Sequence, residues 1–438
     1  MKMVRRLTSC AAGSCIMLMS SVLPAGSVFA VTDSDGSEIE MTAVITLNGT
    51  TAEATGDHVT VDGNKITISA SGQYELSGTL EDGQIIVNVP DLTADPGTVK
   101  LYFNGVSITG VSDAAVFVEN AENTSINLVE GTENFLYDGQ TYSATTAVVY
   151  AKDDLTIKGE GKLRIEAAYQ QGLHCNNDVK ITGGTIKVKT EAADAIRGKK
   201  SVEVKGGNID INSGGDGIKS TKGDVTISGG AIEIKASNDA VQGETSLKIT
   251  GGTLKANGDR SLTYAAGPVI ITGGTILATA TDNQIASIDS TQKVVTFQTT
   301  AEQVKDQSIA LSDGSTNVFE MIPDKKFDYV MISSPDLSAD TEYTLSVGGK
   351  DCAVITLSDT LTALEPVTVP DDTIVYNYDI DCNGAEDVRD AVCLARIIAE
   401  DTTLEADDEM LARSDVNQDE YFNLHDLTIL LQFLAGNI

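Results

Sequence analysis

The sequence has 438 residues and a formal net charge of −34 at pH 7, with no tryptophan and 5% aromatic residues. A chain this acidic would be repelled by nucleic acid and by anionic lipid, which argues against both as partners unless cations intervene. The cysteines beyond residue 30 show no framework spacing, which argues against a disulfide-stapled or zinc-centred fold. They are Cys175, Cys352, Cys382 and Cys393.

Residues 1–30 have the three parts of a secretory signal peptide. Lys2, Arg5 and Arg6 form a basic start, an apolar stretch follows, and small residues precede Ala30. No later stretch is apolar enough to span a bilayer. The sequence therefore predicts a protein that is secreted to the cell exterior without membrane insertion.

Residues 39–150 alternate short apolar segments with Gly and Asn turns, but they keep no regular period. Terminal repeats of stacked folds are usually atypical, because they must shield an open end from solvent. We therefore expect a cap and early, irregular coils in this region.

A regular period begins near residue 179. Gly-Gly pairs recur at intervals of 23, 23, 22 and 22 residues, which marks stacked structural units. The pairs are Gly183-Gly184, Gly206-Gly207, Gly229-Gly230, Gly251-Gly252 and Gly273-Gly274. Apolar residues fall at every second position on both sides of each pair, as in Val179 and Ile181 before the first pair. This pattern predicts a strand, a turn and a second strand in each unit.

A third short segment recurs with the same period, as residues 172–174, 194–197, 216–219 and 239–242. Three short strands per repeat form one coil of a parallel β-helix, in which equivalent residues stack roughly 4.8 Å apart. An antiparallel meander would also alternate apolar and polar residues, but it would not explain why the three recurring segments keep the same period. The predicted fold class is mainly β, with a parallel β-helix and end caps over residues 31–365. The expected hand is the right-handed one of parallel crossovers.

Coil stacking places Asp194, Asp216 and Asp239 in one row. Neighbouring carboxylates about 4.8 Å apart repel each other by roughly 1 kcal/mol in water, and several times more strongly at a protein surface. Ca²⁺ prefers carboxylate and carbonyl oxygen, so we predict that the row binds this ion. The alternative is a tight turn in which aspartate makes local hydrogen bonds to the backbone.

A second row beside the aspartates consists of His174, Arg197, Lys219 and Gln242. Its cations could receive the carboxylates of an acidic polysaccharide such as pectin, since a guanidinium offers a bidentate fork. We therefore predict these four residues as ligand-binding residues. The alternative is simple charge pairing between the two rows.

After residue 278 the period fades, and residues 285–365 hold further strands that we expect to cover the other end of the stack. Pro366 and Pro370 mark a short linker over residues 366–378.

The composition changes at Asp379. Oxygen-bearing side chains occupy positions 1, 3, 5, 9 and 12 of a 12-residue loop, and the arrangement recurs 36 residues later. This spacing is the one that a calcium loop needs to wrap one ion in oxygen atoms. Each loop runs into an amphipathic helix, predicted over residues 391–398 and 427–434. The side chains are Asp379, Asp381, Asn383, Asp387 and Asp390, then Asp415, Asn417, Asp419, Asn423 and Asp426.

With these residues in view, segment 379–438 resembles the type I dockerin of cellulosome components, a small α-helical module with duplicated EF-hand-like loops. The resemblance implies that the ten side chains bind Ca²⁺, that the module folds with calcium, and that it docks onto a cohesin of a scaffoldin. It also implies that recognition centres on loop positions 10 and 11, which are here Val388, Arg389, Leu424 and His425.

Residues 39–365 also resemble a known family, the secreted parallel β-helix carbohydrate-binding domain of cellulosome-producing clostridia. The resemblance rests on the Gly-Gly-Thr-Ile repeats, on the Asp-Ala/Gly-Ile turns, and on a closing segment from Ile332-Ser333-Ser334-Pro335 to Gly348-Gly349. It implies a calcium-carrying domain that binds cellulose and polygalacturonate.

Together these patterns favour a secreted, cellulosome-associated, non-catalytic protein that binds plant cell-wall polysaccharide and docks onto a cohesin. The main rival is an enzyme. Related β-helices include pectate lyases, in which Ca²⁺ neutralises the uronate and a Lys or Arg abstracts a proton. Arg197 and Lys219 would take that role here. A purely structural or adhesive spacer is a third reading.

Overall fold

The computed structural model of the protein describes residue 31 and residues 38–110, 112–138, 147–265, 267–282, 287–370, 378–399, 401, 403–404, 406, 408–416 and 422–435. The predicted signal peptide and residues 371–377 of the predicted linker lie outside this part of the chain. The chain divides into two compact units, one ending at Val369 and one beginning at Pro370.

The first unit is built almost entirely of strands. Those before the regular repeats are β1 Ala43–Gly49, β2 Ala52–Gly56, β3 Val59–Asp62, β4 Lys65–Ile68, β5 Gly72–Glu81, β6 Gln84–Asn88, β7 Thr98–Gly110, β8 Val116–Asn120, β9 Asn123–Leu128, β10 Glu133–Asp138, β11 Ala147–Ala151, β12 Asp154–Gly159 and β13 Lys162–Ala167.

The strands of the regular repeats are β14 Gln171–Cys175, β15 Asp178–Ile181, β16 Thr185–Thr190, β17 Ile196–Gly198, β18 Ser201–Val204, β19 Asn208–Ser213, β20 Ile218–Ser220, β21 Asp224–Ile227, β22 Ala231–Ala236, β23 Asp239–Gly243, β24 Ser246–Asn257, β25 Arg260–Tyr264 and β26 Val269–Ala280. The closing strands are β27 Ile288–Ser290, β28 Val294–Gln303, β29 Ile309–Ser312, β30 Asn317–Met321, β31 Phe327–Ser333, β32 Glu342–Val347, β33 Lys350–Thr356 and β34 Leu361–Ala363.

The regular coils stack as three walls of parallel strands. Strand β15 pairs with β18, β16 with β19, and β17 with β20, so each partner lies one coil further along the chain. Wall A comprises β9, β12, β15, β18 and β21. Wall B comprises β10, β13, β16, β19 and β22. Wall C comprises β8, β11, β14, β17, β20, β23 and β25. The predicted mainly β fold with parallel stacking is confirmed.

The inward rows of the three walls form one continuous apolar core. Val179, Val202 and Val225 are register partners on wall A, and each is fully buried. Tyr74 and Phe103 are fully buried in the core of the early coils. Each such side chain stabilises the stack by about 1.5 to 3 kcal/mol, and no coil could bury its apolar row alone.

The Gly-Gly pairs let neighbouring coils approach closely. Gly207 has φ +97°, and a Cβ at this position would lie 2.9 Å from the carbonyl oxygen of Gly184 in the preceding coil. The last two pairs differ from the predicted strand–turn–strand pattern, because they lie inside the single long strands β24 and β26. A register irregularity between Ile249 and Thr253 absorbs the bend there, so the strand continues through the glycines.

Antiparallel strands lie at both ends of the stack. At the beginning β1 pairs with β2 and β3 pairs with β4. At the end β31 pairs in the antiparallel sense with β26 of the last coil and with β28. A separate four-stranded sheet, in the order β30-β29-β32-β33, packs on a second core that includes Phe297, Phe327 and Tyr343.

The second unit contains three helices, α1 Val388–Ile398, α2 Asp408–Ser414 and α3 Leu424–Leu434. Helices α1 and α3 begin three residues before the predicted starts, and α2 was not predicted. The earlier starts follow from capping boxes, in which Asp387 and Asn423 accept a backbone N–H and the aspartate three residues later accepts one in return. The apolar core includes Ile380, Leu394 and Leu430. In the described part of the chain, no helix has the length and apolar character needed to cross a bilayer.

Candidate functional site

The three aspartates of the predicted row form a ladder through the backbone. Asp194 Oδ1 accepts a hydrogen bond from the N–H of Asp216 at 3.0 Å, and Asp216 Oδ1 accepts one from the N–H of Asp239 at 3.0 Å. Asp216 and Asp239 are only 4% and 1% exposed. Asp194 and Asp216 therefore each satisfy a backbone donor of the next coil that would otherwise be buried without a partner.

The remaining carboxylate oxygens of this ladder meet cations of the same chain. Arg197 Nη1 lies 3.4 Å from Asp194 Oδ2, and Lys219 Nζ donates to Asp216 Oδ2. Arg260, which the sequence analysis did not single out, holds both oxygens of Asp239, with Nε at 2.7 Å from Oδ1 and Nη2 at 3.0 Å from Oδ2. Arg260 is the register partner of Asp239. Its guanidinium therefore ends the ladder, in the place of a further aspartate.

This arrangement corresponds to the charge-pairing alternative that the sequence left open. Burial raises the pKa of Asp194 and of Asp239, while hydrogen bonds from the next coil or from Thr263 and Arg260 oppose the rise. Within the described ranges, acidic side chains converge as a group of three at Asp379, Asp381 and Asp390 and not along the ladder. A calcium ion on the aspartate row stays a prediction.

The predicted row of ligand-binding residues exists on the outer side of wall C. His174, Arg197, Lys219 and Gln242 are successive register partners, and each is partly exposed. The row also extends toward the beginning of the chain, which the sequence analysis missed.

Two aromatic residues continue the row. Tyr150 is the register partner of His174, and Phe117 is the register partner of Tyr150. The rings of Phe117 and Tyr150 are stacked with their centroids 5.7 Å apart, and the ring of Tyr150 meets that of His174 edge-on at 5.3 Å. Lys152 Nζ lies 5.2 Å from the Phe117 centroid. The alternating segments Val116-Phe117-Val118 and Val149-Tyr150-Ala151 were the available signal.

The row therefore changes from aromatic to basic along the stack. Its histidine is uncharged at neutral pH, because burial and the nearby charges of Arg197 and Lys199 lower the pKa of His174 to about 4. We name the six residues Phe117, Tyr150, His174, Arg197, Lys219 and Gln242 the wall C row.

Basic side chains without ion pairs lie beside the wall C row. Lys199, Lys200 and Lys222 occupy adjoining coils at the corner between walls C and A. None of the three has a carboxylate oxygen within 4.0 Å among the residues that the structure covers. We name them the lysine corner. On a chain with a net charge of −34, such a corner can attract a carboxylate-bearing ligand.

The two residues that would act in a lyase are held in ion pairs. Arg197 contacts Asp194, and Lys219 contacts the buried Asp216. Proton abstraction requires a free lone pair on the base, so these pairs would have to open first. The geometry therefore gives both residues an evident role in neutralising the ladder, and the lyase reading stays untested.

The first predicted calcium loop brings three of its five ligands together. Oxygen atoms of Asp379, Asp381 and Asp390 all lie within 4.8 Å of one another, and Asp390 is fully buried. Asp390 accepts hydrogen bonds from the backbone N–H of Asp381 at 3.1 Å and of Asp387 at 2.7 Å. Three converging carboxylates repel each other, and hard oxygen donors suit Ca²⁺, so the donor set fits this ion.

The other predicted ligands take different positions. Asn383 donates from its side-chain amide to Asp381. Asp387 is turned toward Arg389, whose Nε and Nη2 lie 3.0 Å and 2.6 Å from its two oxygens. This pairing lowers the pKa of Asp387. Position 9 of such loops often reaches its ion through a water molecule, so capping and ion contact are compatible.

In the second loop, Asn423 and Asp426 form the same capping box, and Asp426 is fully buried. Asp415 is described, whereas Asn417 and Asp419 lie outside the described residues.

The four residues predicted to recognise a partner are at the beginnings of α1 and α3. Val388 and Leu424 are 67% and 69% exposed, which is unusual for large apolar side chains. Arg389 is paired with Asp387, and the His425 N–H donates to Asn423 Oδ1 at 2.7 Å. Val392, which was not predicted, lies one turn after Val388 and is 55% exposed. Large apolar side chains that are this exposed offer a surface that a protein partner can cover.

Comparison with known proteins places this chain in a described family. Residues 62–378 match the family described as "Carbohydrate-binding domain-containing protein". A protein of that description from Acetivibrio thermocellus is 36% identical over 140 residues, which is 30% of this chain. The chain spans about half of that relative, 48% of its length.

A solved structure, a gadolinium derivative of a polysaccharide lyase-like protein from C. thermocellum, is 33% identical with a TM-score of 0.46. The match covers 52% of this chain and 94% of the chain in that structure. Because the family match extends over most of the sequence, the chain belongs to the carbohydrate-binding domain-containing proteins.

Proposed function

We propose that the first unit binds an acidic plant cell-wall polysaccharide, such as polygalacturonate, without cleaving it, and that the binding site is the wall C row together with the lysine corner. The observation that carries the proposal is the continuity of the row, in which stacked aromatic rings are followed by the uncharged His174 and then by cationic side chains. Aromatic rings pack against the apolar faces of sugars, and unpaired ammonium groups attract uronate carboxylates.

The basic side chains of the proposed site have two different roles. Arg197 and Lys219 neutralise buried carboxylates, so their remaining N–H groups can donate hydrogen bonds but bring little net charge. The lysine corner brings the net positive charge. A flat parallel wall offers donors at a spacing of roughly 4.8 Å along the stack, which suits an extended chain rather than a small ligand.

We further propose that the chain is exported after removal of residues 1–30, and that the second unit is a dockerin. In this proposal Ca²⁺ binds at Asp379, Asp381 and Asp390 and at the equivalent second loop, and so neutralises the converging carboxylates. The exposed Val388 and Leu424 then supply apolar contacts to a cohesin of a scaffoldin. The clustering of three carboxylates, one of them buried, supports the calcium part. The exposed apolar side chains support the docking part.

Affinity electrophoresis tests the binding site. The mature protein should be retarded in a gel that contains polygalacturonate, and Tyr150→Ala or Lys222→Ala should weaken the retardation. Lys158→Ala is the matched control, because it removes the same charge from an exposed lysine on wall A. Equal losses in the control and the corner variant would show that net charge, not this site, governs binding.

The same samples test for catalysis. Incubation with polygalacturonate and Ca²⁺, followed at the ultraviolet absorbance of unsaturated products, should show no turnover. Turnover that disappears in Lys219→Ala or Arg197→Ala would replace the binding proposal with the lyase. If no plant polysaccharide retards the protein, the reading as a structural or adhesive spacer would be favoured.

A further inference from the structure

Arg413 joins the starts of the two predicted calcium loops in the second unit. It lies in the last turn of α2, two residues before Asp415, which is the first ligand position of the second loop. Its Nη1 donates to the main-chain carbonyl oxygen of Asp379 at 2.8 Å and to Asp379 Oδ2 at 3.1 Å. Asp379 is the first ligand position of the first loop. One guanidinium therefore connects the first ligand of one loop to the backbone that leads into the first ligand of the other.

Both ends of this contact have a fixed orientation. The side chains of Arg413 and Asp379 are only 22% and 16% exposed. Within the first loop, Asp379 Oδ1 accepts the N–H of Asn383 at 3.0 Å, and Oδ2 accepts that of Gly384 at 3.1 Å. On the α2 side, the neighbouring Ser414 is fully buried, and its hydroxyl donates to a carbonyl oxygen of the same helix. A change in the position of Asp379 is therefore transmitted to the end of α2 and is not absorbed by a solvated side chain.

The apolar core offers a second route between the loops. Ile380 and Val416 directly follow the first ligands of the two loops, are 0% and 2% exposed, and share one core. Apolar packing is non-directional, so it keeps the loops adjacent without fixing the orientation of a ligand. The contact from Arg413 differs, because it ends on a predicted ligand and has the directionality of a charge-assisted hydrogen bond.

We propose that Arg413 is a positioning residue that couples calcium binding at the first loop to calcium binding at the second. An ion in the first loop holds the carboxylate of Asp379 in one orientation, Asp379 holds the guanidinium, and the guanidinium holds the last turn of α2 and thereby Asp415. Coupling between binding sites is reciprocal, so an ion in the second loop raises the affinity of the first by the same factor. Such factors are typically about 5 to 150, and for a single ion pair we expect about ten.

The inference rests on the calcium binding that is proposed for the second unit, and it adds the way in which the two loops are loaded. Coupled loops fill together over a narrower range of calcium concentration than independent loops do. The second unit therefore passes from an empty to a doubly loaded state with little of the singly loaded form.

Calcium titrations of the full chain in competition with a chromophoric chelator measure the coupling. Asp390→Asn and Asp426→Asn each disable one loop and keep an oxygen that can accept the capping N–H. Titration of the double variant measures calcium that binds elsewhere on the chain, and this amount is subtracted. The coupling factor is the product of the two association constants of the parent protein divided by the product of the constants of the two single-loop variants.

The coupling factor should be about ten in the parent protein and about one in Arg413→Lys. The lysine keeps the positive charge, but its ammonium group lacks the planar fork of the guanidinium. The matched control is Arg396→Lys, because Arg396 also makes two polar contacts, to Asp401 at 2.8 Å and to Thr403 at 3.0 Å, with partners that lie outside both loops. This control should keep a factor of about ten.

Each outcome decides a separate question. An unchanged factor in Arg413→Lys would overturn the inference, because the apolar core would then carry the coupling. A factor of one in the parent protein would also overturn it and would leave the proposed calcium sites standing. Equal calcium binding by the parent protein and the double variant would remove the calcium part of the proposed function, and the inference with it. In saturating calcium, Arg413→Lys should keep the far-ultraviolet helix signal of the parent protein, and a lost signal would show a purely structural role for Arg413 instead.

Discussion

Replacing Asp216 tests whether the aspartate ladder stabilises the stack through hydrogen bonds and internal ion pairs. The side chain is 4% exposed and has two separate partners. Its Oδ1 accepts the N–H of Asp239, and its Oδ2 binds Lys219, whose side chain is 25% exposed. Asp216→Ala removes both contacts, whereas Asp216→Asn keeps an oxygen for the backbone donor and removes only the charge.

The two variants should therefore differ in the free energy of unfolding. An unpaired buried N–H costs about 1 to 3 kcal/mol, and breaking a buried ion pair costs about 3 to 5 kcal/mol when the remaining charge stays buried. Lys219 can reach solvent, so we reduce the second value by about half. The alanine variant should lose about 2.5 to 5.5 kcal/mol and the asparagine variant about 1.5 to 2.5 kcal/mol.

Urea denaturation of the full chain, followed by far-ultraviolet circular dichroism, measures the difference. The matched control is Asp210→Asn, which breaks an exposed ion pair with Lys187 and should change the free energy by less than about 0.5 kcal/mol. Equal losses in the two Asp216 variants would refute the backbone part of the reasoning. A chelator that destabilises the parent protein as much as Asp216→Ala does, and that has no further effect on the first unit of the Asp216→Ala variant, would show that a metal ion, rather than Lys219, neutralises the ladder.

Three further predictions follow from other parts of the chain. Gly207→Ala should lower the free energy of unfolding by about 3 kcal/mol, because φ is +97° there and the new Cβ would lie 2.9 Å from a carbonyl oxygen. Gly314→Ala should lower it by only about 1 kcal/mol, because φ is +86° but no atom lies within 4 Å. Equal urea midpoints for the two variants would contradict this prediction. Folding lowers the pKa of His174 from 6.5 to about 4, so the unfolded state alone gains a proton between these values and stability falls as the pH drops through this range. Once the effect of the pKa shift is reduced for partial exposure of the side chain, the free energy of unfolding should fall by about 2 kcal/mol over this range. The melting temperature of His174→Gln should therefore depend less on pH than that of the parent protein. The double variant Asp390→Ala, Asp426→Ala should no longer be captured by an immobilised cohesin, and a chelator should have the same effect on the parent protein. Capture that persists in the chelator would refute the assignment of these residues as calcium ligands.

Register could be predicted from the sequence, because a stack of parallel strands repeats one backbone geometry. The Gly-Gly period correctly placed Val179, Val202 and Val225 in one inward row and His174, Arg197 and Lys219 in one outward row. The aromatic extension was missed where that period does not hold, since Phe117 and Tyr150 lie in coils of irregular length.

Side-chain pairing was less predictable than register. Equivalent positions in adjoining coils say which residues are neighbours, but the choice of partner depends on rotamers and on local burial. Arg260 binds Asp239 because the repeat shortens by one or two residues at the last coil, which moves an arginine into the aspartate row. Asp387 faces Arg389 rather than the converging carboxylates, because its side chain also caps α1.

The proposed binding of an anionic polysaccharide by a strongly acidic protein follows from the range of electrostatic forces. At physiological ionic strength, exposed charges are largely screened beyond about 8 Å, which is less than two coils of the stack. A ligand on wall C therefore responds to the lysine corner and to the ion-paired Arg197 and Lys219, and hardly to carboxylates elsewhere on the chain. At low ionic strength the screening length exceeds 20 Å, and the net charge of −34 then repels the ligand as well. Affinity for polygalacturonate should consequently pass through a maximum at intermediate salt, whereas a site dominated by net charge would respond monotonically.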